Sequence, residues 1–65
     1  RIRRGGRGTL RCGGGAAVRL LQLALQEGFT GIGIQQTGEG RFLHLDDIQP
    51  EDEFHVPRPW IWSYA

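Results

Sequence analysis

The chain has 65 residues, 38% hydrophobic and 23% charged, with a formal net charge of +1, which confines it to one small domain or a fragment of one. A domain this short buries only about 60% of the surface its unfolded chain exposes and usually leans on disulfides, a metal or a partner surface; the single Cys12 excludes an intramolecular disulfide. No apolar run approaches the roughly 18 residues that span a bilayer, and nothing has the order of a signal peptide, so the chain reads as soluble with no membrane partner.

The small net charge hides a segregation. Arg1, Arg3, Arg4, Arg7, Arg11 and Arg19 precede every acid, whereas Glu39, Asp46, Asp47, Glu51, Asp52 and Glu53 come later. All eight basic residues are arginine, a bias that a GC-rich coding sequence explains as well as a partner does. Residues 1–15 alternate arginine and glycine, with short strands expected at Ile2–Arg4 and near Thr9–Cys12. Gly13-Gly14-Gly15 is a flexible break. Residues 16–27 then switch to the helical period, with Ala17, Leu20, Leu21, Ala24 and Leu25 on one side and Arg19, Gln22 and Gln26 opposite. Gly28 suits the left-handed position that ends a helix.

Residues 31–46 read as a β-hairpin. Gly31 to Gln35 puts Ile32 and Ile34 on one face and glycines on the other, where backbone or ligand can approach closely. Thr37-Gly38-Glu39-Gly40 supplies the turn. Arg41 to Asp46 returns, and residues two apart on a strand share a face, so Phe42, His44 and Asp46 line one side while Leu43 and Leu45 line the other. Residues 49–59 are acidic and carry three prolines, as expected of an irregular loop. Residues 60–64 read as a terminal strand with Trp60 and Trp62 on one face. The predicted architecture is α+β, one amphipathic helix packed on a small antiparallel β-sheet.

Taken in order, Leu-Gln-Glu-Gly-Phe-Thr, Gly-Ile-Gly-Ile, Phe-Leu-His-Leu-Asp and the terminal Ile-Trp-Ser-Tyr resemble the distal half of the D-alanyl-D-alanine carboxypeptidase and hedgehog-like zinc peptidases, especially phage and bacterial cell-wall members. The match covers Ala16 to Tyr64. In that family zinc is held by a His and an Asp of an upstream motif and by a second His on a later strand, and His44 matches the later His. Zinc with three protein ligands and a water lowers the water's pKa to about 7 and polarises a peptide carbonyl, which suits hydrolysis of peptidoglycan stem peptides. The resemblance thus implies a hydrolase, an endolysin-like metallopeptidase of cell-wall degradation, located in a phage or in the bacterial periplasm and cell wall.

Nothing before Ala16 is a His or an acid, so two of the three expected ligands are missing. The resemblance therefore implies a truncated peptidase, inactive as the isolated chain, with zinc in the intact parent and none in this chain alone. The remaining ligands would come from a missing N-terminal segment or a partner subunit. Asp46 is the candidate catalytic acid-base or supporting group, with Glu39 on the loop as the other carboxylate available for the base; His44 is the candidate metal ligand and Trp62 a candidate substrate-binding residue.

Plainer readings compete at each position. His44 can be a locally hydrogen-bonded strand histidine, and Asp46 a strand-end carboxylate accepting backbone N–H bonds. His55 reads as a solvated loop histidine, Cys12 as a small apolar residue or exposed thiol. Packing against the helix at Leu20, Leu21 and Leu25 is the commoner fate of Trp60 and Trp62. Two further functions stand behind the peptidase: a non-catalytic structural or binding module of a phage particle, and, ranked lower, an arginine-led nucleic-acid-binding peptide, which lacks the usual interleaved aromatics.

Overall fold

The triple glycine is not the expected break: α1 (Gly14–Gln26) starts within it, with Gly13 as its N-cap, two residues earlier than the apolar period placed the helix. The computed structural model describes residues 6–49 and 56–64; the expected strand at Ile2–Arg4, the histidine at position 55 and most of the acidic loop lie outside the described residues. No side chain of its own caps the helix at Gly13. Gln36 does so from the hairpin instead, its Oε1 accepting from the Gly14 amide at 3.3 Å while its Nε2 donates to the Cys12 and Gln35 carbonyls, both at 3.0 Å. At the other end Gly28 takes φ +94°, the left-handed conformation that glycine adopts without penalty, and the Phe29 amide bonds back to the Ala24 carbonyl.

Four strands form the sheet: β1 (Arg7–Arg11), β2 (Gly31–Gln35), β3 (Phe42–Asp46) and β4 (Trp60–Ser63), in the order β1-β3-β2-β4. β3 is antiparallel to both β1 and β2, but β4 runs parallel to β2. The fold is thus α+β, one helix on a four-stranded mixed sheet, and the expected all-antiparallel sheet is corrected. Both edges of β3 are already taken by its two neighbours. β4 runs opposite to β3 and pairs with the outer side of β2, where the shared direction makes it parallel, while β1 stays the other edge of the sheet. Residues 47–59 join β3 to β4, and the full connection between the parallel strands, 36–59 with β3 inside it, exceeds the dozen or so residues that a parallel pair requires. Backbone bonds from Trp60 to Thr30 and from Tyr64 to Ile34 fix the join.

The helix covers one face only. Ala17, Ala24, Ile32, Leu43 and Leu45 are the buried apolar residues, with Leu20, Leu21, Phe29 and Ile34 partly buried around them. Two alanines seven residues apart lie on one helical stripe and let the helix approach the sheet closely. Leu25, assigned by its spacing to the buried stripe, is 54% exposed, because it lies toward the rim of α1 beyond Ala24. Among the described residues no helix is long and apolar enough to cross a membrane.

Candidate functional site

Strand alternation sends Leu43 and Leu45 under the helix, which leaves Phe42, His44 and Asp46 on the uncovered face. Register adds the rest of that face: Thr9 stands directly across from His44 on β1, Arg7 across from Asp46 and Arg11 across from Phe42. On the other side of β3, Gly33 lies opposite His44 and Gly31 opposite Asp46, and Trp62 of β4 is the partner of Gly33.

The two glycines leave a bare lane along β2. A Cβ at Gly33 would stand 2.6 Å from Nε1 of Trp62 and 2.9 Å from the Tyr64 ring, and a Cβ at Gly31 would strike the Asp46 carboxylate. Side chains from β3 and β4 therefore meet over a strand that contributes only backbone. The Trp62 and His44 rings lie with centroids 5.7 Å apart, and those of Phe42 and Tyr64 lie 5.1 Å apart. Trp62 thus packs on the face away from the helix, not against Leu20, Leu21 and Leu25. Trp60 is more than half exposed.

Asp46 is only 3% exposed. Arg58 grips it with a bidentate fork, Nε to Oδ1 at 3.0 Å and Nη2 to Oδ2 at 2.8 Å, and the Ile48 amide donates to Oδ1 at 3.3 Å. The same guanidinium lies 5.5 Å from the centre of the Trp62 ring. Burial pushes the Asp46 carboxyl upward, but the Arg58 hydrogen bonds, the Ile48 amide and the charges of Arg58 and His44 together hold it below its ordinary 3.8. The carboxylate is thus anionic and firmly placed, with little capacity left to shuttle a proton. It also accepts the strand-end backbone N–H that its position suggested.

His44 sits between two partners. Its Nδ1 is 3.4 Å from the Thr9 hydroxyl, and its Nε2 is 3.8 Å from Oδ2 of Asp46, an electrostatic contact too long for a hydrogen bond. Its side chain is 27% exposed, so the imidazole is reachable from solvent. As a zinc centre the described residues fall short: no three His, Cys, Asp or Glu side chains come together among them. One imidazole beside a hydroxyl and an arginine-bound carboxylate is not a ligand set for that ion. Cys12, whose thiol faces the Leu10 carbonyl at 3.5 Å, belongs to the far end of β1.

Arg58 and Thr9, which contact Asp46 and His44 on this face, were not among the sequence candidates. Arg58 is the one cation inside an acidic, proline-bearing stretch, which is the signal that could have marked it as the partner of a strand carboxylate. Thr9 carried no signal, since its importance arises from register alone. No protein-family model matches the chain, and no curated protein or solved structure matches it significantly.

Proposed function

We propose that the chain is the distal half of a zinc-dependent peptidoglycan peptidase, of the D-alanyl-D-alanine carboxypeptidase or L-alanyl-D-glutamate endopeptidase type, with the hedgehog-like fold that its sequence resembles. The observation that carries this reading is the reachable imidazole of His44 on an uncovered sheet face, flanked by Trp62 and backed by the buried Asp46–Arg58 pair. His44 supplies one metal ligand in the assembled enzyme. Asp46 serves as a supporting group, fixing the electrostatics behind the imidazole in place of acting as the general base. Trp62 offers an indole edge on the same face for the stem peptide. The remaining ligands come from a segment or partner outside the described residues, and the activity belongs to a phage lysin or a periplasmic cell-wall enzyme.

The test is reconstitution. Supplied with a segment bearing one His and one Asp of the family motif, the chain is expected to cleave stem-peptide bonds in purified peptidoglycan. A chelator should stop the reaction and His44→Ala should abolish it. Alone, the chain should bind zinc no more tightly in calorimetry than His44→Ala; submicromolar, His44-dependent binding would overturn the claim that ligands must be supplied from elsewhere.

A non-catalytic binding module of a phage particle is the second reading. It is favoured by the engagement of Asp46 with Arg58 and by the single imidazole among the described residues. Reconstitution that yields peptidoglycan binding without hydrolysis decides for it.

A further inference from the structure

Arg7, Thr9 and Arg11 alternate along β1 and so share a face, and their register with Asp46, His44 and Phe42 makes it the uncovered one. β1 is the outermost strand beside β3. Both arginines are exposed, and neither has a side-chain hydrogen bond or ion pair among the described residues. Arg58 and Arg41, by contrast, are held by Asp46 and by the Gly38 carbonyl. Four residues of strand place the Cα atoms of Arg7 and Arg11 roughly 13 Å apart along the edge, with the Thr9 hydroxyl between them.

We propose that Arg7 and Arg11, flanking Thr9 on this edge strand, form a carboxylate-binding row that holds an extended acidic peptide alongside His44. The proposal rests on the reading of this face as the one that receives the stem peptide, and it names what the face recognises: the free carboxylates of that peptide. A guanidinium is a planar fork matched to a carboxylate, and two such forks on one strand pair with two acidic groups on an extended chain. The Thr9 hydroxyl, 3.4 Å from His44, then brings the peptide between the forks to the imidazole. The engaged aromatics favour a peptide over a nucleic acid. A single-stranded nucleic acid is tracked by a continuous positive groove with bases stacked on open aromatic faces. Here Phe42 and Trp62 are engaged with Tyr64, His44 and Arg58.

The full chain is titrated calorimetrically with the stem tetrapeptide L-Ala-γ-D-Glu-L-Lys-D-Ala and with the same peptide amidated at its carboxylates. The free acid should bind about fivefold more tightly than the amide, the size expected of exposed charge pairs. The double variant R7A/R11A should lose that preference, and R7K/R11K should keep part of it. Both side chains are exposed, so circular dichroism should be unchanged. The proposal fails if the wild type binds the two peptides alike or binds neither, or if R7A/R11A keeps the preference. Tighter, arginine-dependent binding of a single-stranded oligonucleotide also overturns it, assigning the row to phosphate. The peptidase reading fails separately, through absent hydrolysis after reconstitution with arginine-dependent binding intact.

Discussion

At Asp46 a charge is placed where charges are costly, and its surroundings are what make it tolerable. With both side chains more than nine-tenths buried, the Asp46–Arg58 pair exchanges hydration for a bidentate contact, and removing one partner leaves the other charge without compensation. Arg58→Ala should therefore cost about 3 kcal/mol, read by urea unfolding at neutral pH. The pH dependence follows from the depressed carboxyl. Its contribution is fully present above the ordinary value of 3.8, and it is lost as the pH falls through the lower folded-state value, because the unfolded chain takes up the proton first. Stability should hold from neutrality to about pH 4 and decline below it. In Arg58→Ala that acid limb should flatten. An equally steep limb in both proteins would remove Arg58 as its cause.

Strand β2 works as an element through what it lacks. Ile32 and Ile34 face the helix, while Gly31 and Gly33 let Asp46 and Trp62 close over its backbone. Gly33→Ala forces the indole, the Tyr64 ring or the strand itself to move, an overpacking expected to cost about 1–3 kcal/mol. The shift should show in tryptophan fluorescence as well as in thermal unfolding; an unchanged spectrum and melting temperature would mean that the lane is wider than these contacts indicate. This much of the strand was legible, since alternating glycine announced a close approach. What approached was not, because the Trp62 ring arrives from a strand 29 positions later, joined by a parallel pairing that local pattern cannot specify.

The molecule as a whole is a two-layer arrangement with one layer of helix, and its interior is correspondingly small. Leu43 is the large side chain most fully enclosed, and Leu45 and Ile32 complete the sheet's contribution. Leu43→Ala should cost about 2–5 kcal/mol, enough to unfold a large fraction of a domain this size at room temperature; retention of a cooperative thermal transition near that of the wild type would show that the layers are held chiefly by something else.

The local sequence determined the elements and their faces: a 3.6-residue period dictates a helix stripe, and a two-residue period divides β3 into a leucine side and a His44–Asp46 side. Those are properties of neighbours along the chain, set by backbone geometry before any long-range contact forms. Strand order, the parallel placement of β4, the pairing of Thr9 with His44 and the reach of Arg58 to Asp46 were decided only by tertiary structure. Apart from the β2–β3 hairpin, which the local sequence predicted, each joins residues at least 12 positions apart. Such contacts depend on which strand edges remain open and which side chains fit over Gly31 and Gly33, conditions that exist only once the sheet has assembled.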